Sequence, residues 1–158
     1  MTLRRPSPCG AEPLWSRRWA LQVTGSSVGL VIAGCALSGC QNTGSPPTGP
    51  VSAGNVSQLT VGALLIMSNV AVGLDGQGIY AMSAICTHAG CFLDDGTNTI
   101  AAGLDCPCHG STFDGNGSVT HGPAQTALQH YAVTIDAGGN ITVDGGQPVA
   151  ASVRTPAT

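Results

Sequence analysis

The chain has no lysine, a single glutamate and only six aromatic side chains, and just 8% of its 158 residues are charged. A soluble domain ordinarily carries about 25% charged residues, so Gly, Ser, Thr, Asn and Gln must supply the wetted surface. Long helices are disfavoured on the same ground, since they draw on Lys, Glu and Leu. The 23 Gly and 10 Pro suit short strands joined by tight turns. A formal charge of −3 removes the basic footprint of a nucleic-acid binder. The length allows one ordinary domain with a tail and argues against two. What the chain has in excess is sulfur and imidazole, with seven Cys and four His.

The few charges are unevenly placed. Arg4, Arg5, Arg17 and Arg18 are four of the five basic residues, and no charged residue occurs from Trp19 to Leu74. From Cys40 onward seven Asp stand against Arg154 alone, a net charge of −6. A basic start followed by an uncharged apolar run reads as a targeting segment. Residues 16–21 (SRRWAL) resemble a twin-arginine export signal. The apolar stretch is strongest over residues 28–37, and ten residues of helix span about 15 Å, half of a hydrocarbon core. Leu37-Ser38-Gly39-Cys40 resembles a bacterial lipobox. Residues 1–40 are therefore read as an export signal, with Cys40 as the lipidated first residue of the mature chain. The alternative is a retained N-terminal anchor over residues 19–37, diluted by Gln22, Thr24 and two serines. The twin-arginine route carries folded proteins, often around a cofactor, which hints at a metal centre. Residues 41–55 (QNTGSPPTGPVSAGN) read as a Pro/Gly/Ser tether.

Beyond the tether, short apolar runs are broken by turns. Strands are predicted at 63–67 and 69–74, with a turn at Asp75-Gly76-Gln77-Gly78 and a return strand over 79–85. A further strand is predicted at 99–104. Residues 128–136 place Tyr131, Val133 and Ile135 on one face, turn at Ala137-Gly138-Gly139-Asn140 and return over 141–143. No helix-length apolar stripe follows residue 40. The expected fold is all-β, a small antiparallel sandwich or barrel spanning 56–146, with 147–158 as a flexible tail.

Two short segments carry the chemistry: Cys86-Thr87-His88-Ala89-Gly90-Cys91 and Cys106-Pro107-Cys108-His109-Gly110-Ser111. Each packs Cys and His into a loop shaped by Gly or Pro, and residues 92–105 are long enough to bring the second loop opposite the first. Two plain disulfides would leave both His unexplained. A zinc site is an alternative, but the C-x₂₋₄-C and H-x₃₋₅-H spacings of structural zinc are missing. Two unconnected loop histidines remain a third reading.

The pair of segments resembles the Rieske iron–sulfur proteins. CTHAGC is similar to the first box of that family and CPCHGS to the second, while Gly122-Pro123-Ala124 resembles its cluster-covering proline loop. The resemblance implies a cluster-binding subdomain of two loops holding one 2Fe–2S cluster. Cys86 and Cys106 would bind one iron, His88 and His109 the other, and Cys91 and Cys108 would form a disulfide. Such a bridge fits an oxidising compartment. Two ferric ions, two sulfides and two thiolates sum to zero charge, which eases reduction. The potential rises accordingly from about −400 mV for plant-type clusters to about −150 to +300 mV. Ser111 aligns with a serine that stabilises the reduced state in high-potential members. Phe113 stands where those members often carry a tyrosine. Ala89 replaces the common leucine after the first histidine. His121 and His130 match no family role, and Asp94, Asp95 and Asp105 are candidates for biasing docking towards a basic partner.

The implied function is electron transfer in a membrane-associated respiratory chain, from a bacterial envelope location on the outer face of the cytoplasmic membrane. One form is the Rieske subunit of a cytochrome bc-type quinol oxidase, with a cytochrome b-type partner and a c-type cytochrome as acceptor. Another is the small subunit of an exported molybdenum oxidoreductase of the arsenite oxidase type. An oxygenase-type ferredoxin is disfavoured, because those are cytosolic and lack the disulfide cysteines. No catalytic acid–base pair is legible, so an oxidoreductase subunit is expected rather than an autonomous enzyme.

Overall fold

The alternation of side chains along two adjacent strands organises the molecule. The computed structural model describes residues 43–93 and 98–157. The export signal, Cys40, Asp94 and Asp95 lie outside the described residues. Strands β3 (Val70–Asp75) and β4 (Gly78–Ser83) form the predicted hairpin, in register from Val70↔Ser83 to Asp75↔Gly78. At its turn Asp75 Oδ1 accepts the N–H groups of Gln77 (2.8 Å) and Gly78 (3.1 Å), the local bonding that makes Asp a turn former. Val70, Val72, Ile79 and Ala81 point to one core, while Ala71, Tyr80 and Met82 point to a second. Both faces are thus buried, which explains why these strands read as almost uninterrupted apolar runs. Each Val or Ile fully buried there contributes roughly 1.5–3 kcal/mol.

The first core lies inside a six-stranded antiparallel sheet of order β1-β9-β8-β4-β3-β2, where β2 is Leu64–Met67, β8 is His130–Ile135 and β9 is Asn140–Val149. Its edge strands β1 (Pro50–Asn55) and β2 come into contact, so the sheet curls nearly closed like a barrel. The second core lies under a three-stranded sheet of β5 (Leu104–Asp105), β6 (Thr112–Phe113) and β7 (Val119–His121). This smaller sheet belongs to an excursion that leaves β4 and returns to its neighbour β8, where Ala81 pairs with Tyr131 and Met82 with His130. The all-β expectation holds: among the described residues the only helical turn is a 3₁₀ turn at Val56–Gln58. Among the same residues no helix is long and apolar enough to cross a membrane.

The structure departs from the sequence reading at both ends. The segment expected to be a tether over 41–55 carries β1, which pairs with β9 from Pro50↔Asp144 to Asn55↔Asn140 and buries Ala53 completely. Its composition is that of a linker, but Val51 and Ala53 alternate, and their partner strand lies some ninety residues away, beyond the reach of local pattern. Of the expected flexible tail over 147–158, the described residues 147–157 are also bonded to the domain. β9 runs on to Val149, Thr155 pairs with Ile79, and Arg154 Nε bonds Asp75 Oδ2 at 2.7 Å. The strand expected at 99–104 is reduced to Leu104–Asp105, because residues 99–103 close a turn with Gly103 N–H on the Thr99 carbonyl (2.9 Å). The short strands β6 and β7 were not legible as strands at all.

Candidate metal centre

The two Cys-bearing segments build the same loop twice. In the first, Cys86 N–H donates to the Cys91 carbonyl (2.8 Å) and Gly90 N–H returns to the Cys86 carbonyl (2.9 Å). In the second, Cys106 N–H donates to the Ser111 carbonyl (2.8 Å) and Gly110 N–H to the Cys106 carbonyl (3.0 Å). Each turn closes through a residue with positive φ, Gly90 at 75° and Gly110 at 74°, a conformation that costs a side chain roughly 1–2 kcal/mol. The glycine four places after each first cysteine is therefore dictated by the turn.

The loops face one another across the Cys91–Cys108 disulfide. Cys86 and Cys106 remain free thiols, each nearly inaccessible to solvent. His88 and His109 are exposed at the tip with ring centroids 4.8 Å apart, edge to face. The sulfurs of Cys91, Cys106 and Cys108 lie within 4.8 Å of one another. Two of those three are spent in the disulfide, which leaves Cys106 as the thiol available to a ligand. Burial pushes the Cys86 thiol above its ordinary range; the His88 N–H pulls it down, the adjacent Cys106 thiol adds to the rise, and a hydrogen bond from Ser111 opposes it. Two buried thiols side by side fit a cation, since metal binding deprotonates both and balances the charge. Two sulfur and two imidazole donors at one tip are a suitable set for a mixed Cys/His iron–sulfur centre.

The loop at 122–126, expected to cover a cluster, is bonded to both boxes. Ala124 N–H donates to Ser111 Oγ (3.0 Å), and Thr87 Oγ1 donates to the Thr126 carbonyl (2.6 Å). Ala124 is buried, whereas Gly122 and Pro123 are exposed. Ser111 is completely buried and thus links the covering loop to the Cys86 sulfur. Phe113 shares a buried apolar cluster with Cys86, Cys106, Leu93 and Leu104, and carries no polar atom into it. Ala89 is exposed beside His88, and Asp105 is exposed next to Cys106.

Sequence reasoning missed a polar cluster under this subdomain. Tyr80 donates its hydroxyl to the Gly115 carbonyl, and burial pushes that phenol up to about 12. His130 stacks on Tyr80 with centroids 5.8 Å apart, and its Nε2 meets the Asn116 carbonyl at 2.9 Å. Because a carbonyl only accepts, Nε2 carries the proton. Arg154 lies 4.1 Å over the Tyr80 ring and donates Nη2 to Asn116 Oδ1 at 2.9 Å. These bonds hold the 114–118 turn, which joins β6 to β7, down onto the large sheet. The isolation of Arg154, the one basic residue after Arg18, was the available signal. His121 ends β7 in solvent.

Comparison with known proteins agrees with this geometry. The family described as the Rieske [2Fe-2S] domain matches residues 49–132, just over half of the chain. The cytochrome b6-f complex iron-sulfur subunit of Prochlorococcus marinus (strain MIT 9215) is 46% identical over 66 residues, covering 39% of this chain and 35% of that protein. The same subunit of P. marinus subsp. pastoris is 47% identical over 68 residues, 41% of this chain and 36% of that one. The chain thus spans about a third of the length of the curated relatives it matches. Among solved structures, the cyanobacterial plasma membrane Rieske protein of Synechocystis PCC 6803 is 30% identical with a TM-score of 0.47, over 59% of this chain and 97% of that one. The two facing Cys/His loops, the disulfide between them and the matched segment together place the chain in the Rieske [2Fe-2S] family, an iron–sulfur electron-transfer domain whose cofactor is a 2Fe–2S cluster.

Proposed function

We propose that Cys86 and Cys106 ligate one iron and His88 and His109 the other, and that the chain passes electrons for a quinol-oxidising cytochrome bc-type complex. The observation that carries this reading is the meeting of two buried thiols with two exposed imidazoles at one disulfide-tied tip. When bound, the cluster supplies one-electron redox chemistry. The chain's own residues do the rest. Cys86 and Cys106 hold the buried side, and Phe113, Leu93 and Leu104 exclude water beneath it. His88 and His109 keep one ring nitrogen each towards solvent, where a proton can be held or released as the electron moves. That coupling is what oxidising a quinol requires, and a c-type cytochrome is the matching acceptor. The relatives named as iron-sulfur subunits of the cytochrome b6-f complex support a cytochrome b-type partner. The disulfide supports an oxidising compartment. With the twin-arginine-like and lipobox-like motifs, it favours export and attachment through lipid on Cys40 at the outer face of the cytoplasmic membrane.

Paramagnetic resonance of the reduced protein tests the ligand set. The exported protein should give a Rieske-type signal that His88→Ala and His109→Ala each abolish, and a normal signal in either variant refutes the assignment. Copurification in mild detergent tests the complex. A cytochrome b is expected, and recovery of a large molybdenum-containing subunit instead overturns the bc-type reading.

A further inference from the structure

The turn between β6 and β7 contains the one Asn-Gly pair of the sequence, Asn116-Gly117. Glycine is required at 117, because a Cβ there would stand 3.0 Å from Leu128 Cβ and 3.1 Å from Met82 Sδ, with φ at 80°. The pair is chemically weak. Asparagine is a heat-labile residue, and a following glycine puts no side chain in the way when its nitrogen approaches the carboxamide. Each group that such an attack would use is bonded. On one edge of the 116–117 peptide the Asn116 carbonyl accepts His130 Nε2 at 2.9 Å, and on the other Gly117 N–H donates to the Asp114 carbonyl at 2.9 Å. The carboxamide is held by Arg154 Nη2, which donates to Asn116 Oδ1 at 2.9 Å. Asp114 Oδ1 accepts the N–H groups of Asn116 (2.9 Å) and Ser118 (2.8 Å), which closes the turn around the pair.

We propose that Asn116-Gly117 is a site of spontaneous deamidation which Arg154, His130 and Asp114 hold closed, so that the reaction proceeds only when the turn lifts off the large sheet. In that step the Gly117 nitrogen loses its proton and bonds to Asn116 Cγ. The Cγ–Nδ2 bond breaks, and Nδ2 takes up a proton and leaves as ammonia. Water then opens the cyclic imide at either carbonyl, leaving an aspartyl or an isoaspartyl residue, with nothing oxidised or reduced. Ring closure must swing the carboxamide off Arg154 and strip the proton that Gly117 gives to Asp114, so the closed turn does not react. Either product puts a carboxylate where Arg154 meets a neutral amide, in competition with Asp75. The isoaspartyl form also adds one carbon to the main chain inside a turn whose N–H groups are bonded in fixed register to Asp114. Deamidation thus frees the turn that follows the second box and ties its small sheet to the large one.

Peptide mapping of the intact, cluster-loaded protein incubated at neutral pH tests this. The product shows as a gain of one mass unit at residue 116 and as a separable isoaspartyl form, and a synthetic peptide of residues 112–120 supplies the unrestrained rate. The protein should react at least about a hundredfold more slowly than the peptide, and equal rates overturn the proposal. Hydrogen exchange at the Gly117 amide of the same protein should be slowed by the same factor, because both reactions wait for one opening. Two factors that differ by about tenfold or more exclude a shared gate and overturn it as well. These comparisons need no variant, so they decide the matter even where a substitution prevents folding. Arg154→Met should speed deamidation by at least about tenfold. An unchanged rate in a variant that keeps its paramagnetic resonance signal overturns the part assigned to Arg154.

Discussion

Replacing Arg154 by Met tests how the two sheets are joined. The guanidinium is 13% exposed and the Asp75 carboxylate 25%, so their 2.7 Å contact is partly desolvated and worth about 1 kcal/mol. The cation over the Tyr80 ring adds about 1 kcal/mol, and the charged bond to Asn116 about 1.5 kcal/mol. These contacts share one side chain and do not add fully, so the loss should be about 2–3 kcal/mol, with Tm lower by roughly 10 °C. Met keeps the aliphatic stem, which separates the loss of the charge from a loss of packing. Burial alone would raise the Asp75 carboxyl, but the Arg154 bond and charge, with the N–H groups of Gln77 and Gly78, hold it below the ordinary carboxylate range. A lowered folded value means the pair's stability is present above the unfolded value of 3.8 and is lost as pH falls through the folded one. Denaturant titrations from pH 7 to 3 should therefore show a constant gap between wild type and Arg154→Met down to about pH 4, narrowing below it. A gap under about 0.5 kcal/mol at pH 7, or one that stays unchanged to pH 3, would refute this account of the latch.

His130 gives the opposite window. Burial lowers its pKa from 6.5 against the weaker pull of the Asn116 carbonyl, so its contribution is complete above pH 6.5 and declines as pH falls through the folded value. His130→Gln should flatten that decline in a stability–pH profile, and an unchanged slope would exclude His130 as its source. Ser111→Ala removes the hydroxyl bonded to the Cys86 sulfur and should lower the reduction potential in voltammetry, while Phe113→Tyr should raise it by adding a donor. No movement in either would sink the tuning argument. The disulfide closes a loop of sequence separation 17, so Cys91→Ala with Cys108→Ala should cost about 3 kcal/mol by denaturation; a cost near zero would mean the cluster alone holds the loops together.

The chemistry of this protein is written in short segments, and short segments are what a sequence displays. The two boxes declare their donors, and the glycines at 90 and 110 declare their turns, because a positive φ tolerates little else. The β3–β4 hairpin is equally local, with Asp75 satisfying its own turn. The alternation also distributes Val72 and Tyr80 to different cores, although the sequence alone does not reveal that both faces are covered.

Pairing between distant segments is a different matter. Nothing in the Pro- and Gly-rich run before residue 55 signals a strand until β9 supplies its partner, and the tail gains order only when Arg154 finds Asp75, Tyr80 and Asn116 together. Likewise His130 becomes an interior stacking residue because β8 lies beside β4. By itself the sequence determined the cofactor type, the candidate ligands and the all-β class, since these depend on residue identity and spacing over a few positions. Tertiary structure alone decided that residues 43–55 and 147–157 are bound to the domain, because backbone donors and acceptors find partners there that lie far away in sequence.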